Sequence, residues 1–315
     1  MRLSLLIVSI NLLALAATLP AKAETFDCRQ PSSRLGRLIC NDAALRAADA
    51  EENAVYDAAL LASLERRALR EEERAWFDQE ILPYNWFAQR RIAIENGKLV
   101  DAYRRRSDAL RQETRDWRKL RHSLPGATLA HTCLVLPGRS SNCTVASFAP
   151  IKGAPALRYQ QQSYSKPASS AVVIFAAPPD RPDDWLPLAV TTSAHALTAP
   201  QATESAAGTL LVIAGSGDSD KAVLYRLNKD ALEDIDDRSW LETLHSRLPD
   251  GLVLSPDIVA DYGKMQAVAT VTRSQSSCCA VGSTATIELA VEDQRVVVRG
   301  IAFSGPGGPL INHQN

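Results

Sequence analysis

Apolar residues recur with a helical period through the first third of the chain after its N-terminal apolar run. Leu45, Ala48, Val55, Tyr56, Ala59 and Leu60 lie near one 3.6-residue stripe, whereas Arg46, Glu51, Glu52 and Asp57 lie mostly on the opposite side. Such a stripe predicts an amphipathic helix that buries one face. Asn41 or Asp42 can cap its start.

Similar patterns predict three more helices. A short first helix ends at Cys40, and Ser32 or Ser33 can cap it. A third helix runs over residues 66–80 with Leu69 and Trp76 inward, until Pro83 stops it. After a turn at Asn96-Gly97, a last helix covers residues 98 to about 121. Its apolar side carries Leu99, Tyr103, Leu110 and Trp117. These residues predict an all-helical bundle.

The pattern changes near residue 124, where Val, Thr, Ser, Gly and Pro replace Ala, Glu and Arg. Short apolar runs predict strands at His131–Leu136, Cys143–Phe148, Leu157–Tyr164, Val172–Ala176, Leu186–Thr192, Thr209–Ala214, Ala222–Leu227, Met265–Thr272, Ala285–Val291 and Arg295–Phe303. Only Ser239–Leu248 reads as a helix, with Trp240, Leu241, Leu244 and Leu248 on its buried side. Strands without alternating helices favour antiparallel sheets, in a sandwich or an open barrel. We therefore predict an α+β protein with a helical domain at 24–124 and a separate β-rich domain at 125–315.

The first 23 residues read as a signal peptide. A basic start precedes an apolar run at Leu3–Leu19, and Ala21-Lys22-Ala23 is a small-x-small cleavage site. The alternative, a membrane anchor, needs a longer and less interrupted apolar run. We expect a periplasmic or secreted protein with no transmembrane segment in its mature chain.

An oxidising compartment makes disulfides the expected state of the six cysteines. A bond between Cys28 and Cys40 would brace the N-terminus of the helical domain; two buried thiols are the alternative. Cys133 and Cys143 bracket a Pro-Gly turn, so a hairpin would place them on facing strands. The adjacent Cys278 and Cys279 can bond to each other, bond elsewhere or stay reduced.

Net charge and motif spacing argue against several classes of function. The formal net charge of −1 provides no global field that would attract nucleic acid. The five histidines, His122, His131, His195, His245 and His313, show no metal-ligand spacing. Gly215–Asp220 follows an apolar strand but lacks the Gly-Lys-Ser/Thr of a phosphate-binding loop, and therefore predicts a hairpin turn. We expect no catalytic residues, no cofactor and no metal.

Several features of the helical third occur in one order. Cys28 and Cys40 are followed by Leu45, Asp49 and Tyr56, then by Glu73-Arg74-Ala75-Trp76, and finally by Leu99, Tyr103, Arg106 and Leu110. This order, over about residues 25–111, resembles the lysozyme-inhibitor LprI-like N-terminal domain of bacterial envelope and secreted proteins. The resemblance implies a non-enzymatic periplasmic binding protein that inhibits lysozyme-type glycosidases. A blander alternative is a structural or stress-related module that binds peptidoglycan or another envelope protein.

The last predicted helix is rich in arginine, and Arg104, Arg105, Arg106 and Arg111 form its densest group. These side chains can simply be a solvated helix face. Alternatively, they provide guanidinium donors for the carboxylates in a glycosidase cleft. A different class of function, an envelope hydrolase, would place its site in the β-rich domain around Gly215–Asp220 or Cys278–Cys279.

Overall fold

A computed structural model describes residues 28–31, 33–85, 92–139, 141–165, 168–215, 218–228, 231–249, 252–255, 257–273 and 283–304. These residues form helices and antiparallel sheets, so the α+β class is confirmed. Contacts divide them into two compact units. The first unit contains the residues up to Leu61 and Gln79–Arg111, and the second contains Ala62–Asp78 and the residues from Gln112 onward. This division does not coincide with the composition change near residue 124, because Ala62–Asp78 packs with the β-rich part.

The first helices begin where short polar side chains cap them. The hydroxyl of Ser33 accepts a hydrogen bond from the amide of Gly36 at 2.9 Å, at the start of α1 (Arg34–Asn41). The Asp42 carboxylate accepts the amides of Ala44 and Leu45 at 2.8 and 3.1 Å, at the start of α2 (Ala43–Ala62). Ser33 and Asp42 are both among the predicted caps, and they satisfy amides that have no partner within their helices.

Two longer helical stretches follow. α3 (Arg66–Trp76) continues through a π-helical turn, Phe77–Ile81, and a 3₁₀ turn, Leu82–Asn85, so the predicted third helix is confirmed in position. α4 (Ile92–Leu120) is continuous through Asn96-Gly97, and the predicted turn there is wrong. The Asn96 amide donates to Asp42 at 2.7 Å, and the following Leu99 is fully buried. Tertiary contacts therefore override the local turn preference of this dipeptide.

The predicted apolar stripes of the helices are largely confirmed. The buried residues of these stripes include Leu45, Ala48, Ala59, Leu99, Tyr103, Leu110 and Trp117. Glu52, predicted on the polar face of α2, is instead buried. Another acid on the inner face, Asp49, accepts a hydrogen bond from the hydroxyl of Tyr103 at 3.1 Å. The helical core of the first unit is therefore apolar with a few enclosed polar groups.

The second unit contains three antiparallel sheets. The first sheet contains β1 (Leu124–Pro125), β2 (Cys143–Ile151), β3 (Ala154–Ser165), β4 (Ala168–Ala176) and β5 (Asp184–Ser193), in the order β1-β5-β4-β3-β2. The second runs through β6 (Gln201–Ser205), β7 (Gly208–Gly215), β8 (Asp218–Asn228) and β9 (Ala231–Ile235) in chain order. The third contains β10 (Leu252–Leu254), β11 (Val259–Asp261), β12 (Gln266–Arg273), β13 (Ser283–Glu292) and β14 (Arg295–Ser304), with β10 and β11 both paired to β12.

The second sheet is buried on both of its faces. On one face, Val223 and Tyr225 of β8 share a core with Val172 and Ile174 of β4. On the other face, Ala222 and Leu224 share a core with the third sheet and with α6 (Ser239–Leu244). The apolar runs of these strands have no exposed side, since alternate residues point to opposite faces. Three sheets therefore stack in layers, and each fully buried Val, Leu, Ile or Phe side chain contributes roughly 1.5–3 kcal/mol.

All the predicted strands except His131–Leu136 coincide with observed strands. Two fully buried glutamines of β3 explain the exception. The side-chain amide of Gln160 accepts a hydrogen bond from the backbone N–H of Leu134 at 3.2 Å. It also donates a hydrogen bond to the carbonyl of Thr132 at 2.9 Å. Gln162 donates to the carbonyl of Leu134 at 3.1 Å. Side-chain amides thus satisfy backbone groups that a neighbouring strand would otherwise bind.

The short strands β1, β6, β9, β10 and β11 were not predicted, because their runs are too brief for a clear alternation. The predicted Ser239–Leu248 helix is confirmed over α6, followed by a 3₁₀ turn at His245–Arg247. Trp240 and Leu244 are buried as expected, whereas Leu241 is exposed.

Two disulfides are present among the described cysteines. Cys28 is bonded to Cys40 and Cys133 to Cys143, with Cα–Cα distances of 5.3 and 6.4 Å. The expected hairpin between Cys133 and Cys143 is not formed by the described residues, because Cys133 lies in an irregular segment. β2, which begins at Cys143, pairs with β3 instead. Cys278 and Cys279 lie outside the described residues.

Two glycines in open surroundings should respond oppositely to alanine. A Cβ atom at Gly97, inside α4, or at Gly208, the first residue of β7, would meet no atom within 4 Å. Gly97→Ala should stabilise the protein by about 0.5–1 kcal/mol, because glycine is a poor helix residue. Gly208 has φ of +100°, so Gly208→Ala should cost roughly 1–3 kcal/mol. Thermal unfolding followed by circular dichroism compares the two variants; destabilisation by Gly97→Ala would contradict the continuous helix.

Candidate functional site

α3 is attached to the β-sheets of the second unit through Arg67. The guanidinium of Arg67 lies 2.7 Å from the carboxylate of Asp237 and donates to the carbonyl of Ala222 at 3.1 Å. Its Nε lies 3.4 Å from Glu71, one turn along the same helix. The side chain of Asp237 is 2% exposed, so this is a buried ion pair. Burial raises the pKa of Asp237 to about 6, and Arg67 opposes the rise.

Two further ion pairs surround this contact. Arg70 pairs with Asp234, whose side chain is 7% exposed, and burial raises the pKa of Asp234 while Arg70 opposes the rise. Arg238 lies 3.5 Å from Glu71, and both side chains are about half exposed. The basic side of α3 therefore faces acids from β9 and from the corner that leads into α6.

A cavity of about 270 Å³ lies beside the start of α3. One wall comes from the first turns of α3, another from the end of β5 with the loop to Leu197, and a third from β8. Its polar lining groups are Glu65, Arg67, Glu71, Thr191, Thr192, Ser193, His195, Tyr225 and Arg238. Val190, Leu197 and Val223 provide apolar surface. The cavity thus combines ionisable groups with apolar walls, which is typical of small-molecule sites.

Glu65 is the residue just before α3, but its side chain does not cap the helix. Its carboxyl group instead accepts a hydrogen bond from the hydroxyl of Thr192. That hydroxyl also accepts from the guanidinium of Arg139 at 2.7 Å. Burial raises the pKa of Glu65 to about 7, against the opposing effects of Thr192 and Arg139. A carboxyl group with such a pKa beside a cavity is a candidate functional group.

The floor of the cavity is an uncharged polar pair. The hydroxyl groups of Tyr225 and Thr191 lie 2.9 Å apart, and the Tyr225 hydroxyl is 3.3 Å from the carbonyl of Val190. Tyr225 is buried, and this burial raises the pKa of its hydroxyl. The hydroxyl therefore stays protonated and neutral at physiological pH.

The four arginines predicted to meet a partner occupy different environments on α4. Arg104 is 68% exposed and lies 3.8 Å from Asp101, and Arg105 is also exposed. Arg106 is 8% exposed and belongs to the buried stripe. Arg111 pairs with Glu51 and, at 2.9 Å, with Asp108. Only Arg104 and Arg105 of this group are both exposed and adjacent.

The segments considered for a hydrolase site are incompletely described. Gly215 ends β7 and Asp218 begins β8, in agreement with a hairpin, while Ser216, Gly217, Cys278 and Cys279 lie outside the described residues. The described residues contain no group of three or more His, Cys, Asp or Glu side chains placed to hold a metal ion. Within the same part of the chain, no helix has the length and apolarity that a membrane crossing requires.

Comparison with known proteins gives no further assignment. No protein-family model, curated protein or solved structure matches the chain. The arginine pair and the cavity must therefore be interpreted from their own chemistry.

Sequence reasoning did not identify the cavity. Glu65 and Thr192 are separated by more than a hundred residues and belong to no motif. The one available signal was a polar Thr-Thr-Ser run, Thr191–Ser193, at the end of an apolar strand, where functional side chains often lie.

The buried pair of Arg67 and Asp237 should contribute far more to stability than the exposed pair of Arg238 and Glu71. Arg67→Met leaves a buried carboxylate unpaired and should cost about 3–5 kcal/mol. The double variant Arg67→Met/Asp237→Leu should recover most of this loss, because neither charge of this pair remains buried. Arg238→Met should cost about 0–1 kcal/mol. Urea unfolding measures all three variants, and equal losses for Arg67→Met and Arg238→Met would contradict the buried pair.

The raised pKa of Glu65 predicts a specific pH dependence. The carboxyl group ionises near pH 4.5 in the unfolded chain and near pH 7 in the fold. The folded state therefore retains the proton more strongly, and stability from this group falls as the pH rises through that window. Glu65→Gln removes the titration, so its melting temperature relative to the natural protein should rise from pH 5 to pH 8. The exposed Glu204→Gln is the control; a pH-independent difference for Glu65→Gln would refute the assignment.

Proposed function

We propose that the protein is an exported, non-enzymatic binding protein that docks onto another envelope protein through α4. The partner class that best fits is a lysozyme-type glycosidase, whose cleft contains two carboxylates. The single observation that carries this proposal is the exposed, adjacent pair Arg104 and Arg105 on a helix whose opposite side is buried. Guanidinium groups form bidentate hydrogen bonds with carboxylates, so this pair offers suitable donors.

Two features support export. The N-terminal residues have the order of a signal peptide, and the disulfides Cys28–Cys40 and Cys133–Cys143 suit an oxidising compartment. The resemblance of residues 25–111 to LprI-like domains points to the same compartment and to the same partner class.

Rigidity supports docking through α4 itself. Leu99, Tyr103 and Leu110 anchor the inner stripe of this helix, and Tyr103 is further held by its hydrogen bond to Asp49. A helix fixed in this way presents its outer side chains with little loss of backbone entropy on binding. Arg106 and Arg111 have different roles in the proposal: Arg106 is part of the core, and Arg111 is engaged by Glu51 and Asp108.

The double variant Arg104→Gln/Arg105→Gln tests this proposal. Each lost charge-assisted contact should cost about 1.5–3 kcal/mol of binding free energy. The melting temperature should hardly change, because exposed charges contribute little to folding. Lysozyme inhibition and direct binding to the enzyme are measured at two salt concentrations, and the natural protein should bind more weakly at the higher one.

The matched control is Arg118→Gln/Lys119→Gln, which removes an adjacent exposed cation pair from the same helix. This control should bind as the natural protein does. Equal loss in both double variants would indicate a general charge effect, and unchanged binding by Arg104→Gln/Arg105→Gln would exclude the pair from the interface.

A further inference from the structure

The cavity beside α3 contains a carboxyl group whose charge has no ion-pair partner among the described residues. The two arginines of the cavity are already paired, Arg67 with Asp237 and Arg238 with Glu71. The hydrogen-bond partner of the Glu65 carboxyl is instead a neutral side chain, the hydroxyl of Thr192. A carboxylate in such surroundings is stabilised by any cation that enters the cavity.

The walls around Glu65 define what else the ligand must carry. Val190, Leu197 and Val223 line the cavity with apolar surface, and the Tyr225 and Thr191 hydroxyls form an uncharged floor. A strongly hydrated metal ion would gain nothing from the apolar walls, whereas a carbon chain would. The volume of about 270 Å³ suits a compound of small size.

We propose that this cavity binds a small organic ammonium compound, with its nitrogen at the Glu65 carboxylate and its carbon chain along Val190, Leu197 and Val223. The site consists entirely of second-unit residues and does not depend on the docking of α4 to a protein partner. It gives the chain a second binding activity of a different chemical class.

Binding of an ammonium compound at Glu65 must be coupled to pH. The pKa of Glu65 is raised to about 7, so the carboxylate that pairs with the ligand is depleted in acid. The charged or titratable groups near Glu65 come from several elements: Glu113, Arg139, Tyr164 and Tyr225 around it, and Arg67, Glu71, His195 and Arg238 along the cavity.

Titration calorimetry on the full chain tests the proposal with 1-butylamine as probe. The neutral 1-butanol has the same chain length and serves as the matched compound. We expect saturable binding of the amine at about pH 8, binding at least about tenfold weaker at about pH 5.5, and no saturable binding of the alcohol. Equal binding of both compounds, or no binding of the amine, would overturn the proposal.

Variants then locate the site. Glu65→Gln should weaken butylamine binding at least about tenfold at the higher pH, whereas Glu242→Gln, which removes an exposed acid outside the cavity, should not. His195→Asn should retain both binding and its pH dependence. If Glu65→Gln is not folded by circular dichroism, Ala68→Leu, which fills the cavity without a charge change, takes its place and should also abolish binding. Binding unchanged in Glu65→Gln, or in Ala68→Leu where it replaces that variant, would overturn the proposal.

Discussion

Burial of the second sheet on both faces is the constraint from which the rest of the β-rich unit follows. Because Val223 and Tyr225 point to one side of β8 and Ala222 and Leu224 to the other, neither face can be left in water. The first and third sheets cover these two faces. The outer face of the first sheet is apolar as well, since Val173 and Phe175 share a core with Trp117, Leu129 and Leu134. Each of these apolar sheet faces is therefore covered by a neighbouring layer.

This stacking leaves few places for polar groups, and specific partners satisfy the side chains of Gln160, Gln162 and Arg67. Gln160 and Gln162 hold the segment before β2 through its backbone, which a sheet edge would otherwise leave unpaired. In the same unit, the guanidinium of Arg67 forms an ion pair with the buried carboxylate of Asp237. An unpaired polar group at either place would cost more than its partner contributes, so such contacts restrict how the layers and α3 fit together.

The two proposed activities belong to different parts of the chain and to different chemistry. Arg104 and Arg105 present exposed positive charge on a rigid helix, which suits a carboxylate-bearing protein surface. Glu65 presents a single carboxyl group inside a cavity with apolar walls, which suits a small ammonium compound. Salt and pH should affect them differently: added salt weakens the exposed contacts, and acid removes the charge of Glu65.

The sequence by itself determined most of the elements. Hydrophobic periodicity indicates which side of an element is buried. It therefore correctly predicted the buried stripe of Leu99, Tyr103, Leu110 and Trp117 and strands such as Val172–Ala176. Tertiary structure alone decided that α4 continues through Asn96-Gly97, that His131–Leu136 is no strand, and that α3 packs with the sheets. It alone brought Glu65 to Thr192 and Arg67 to Asp237. Such contacts join residues far apart in the chain, and no local pattern encodes which distant partner a polar side chain will meet.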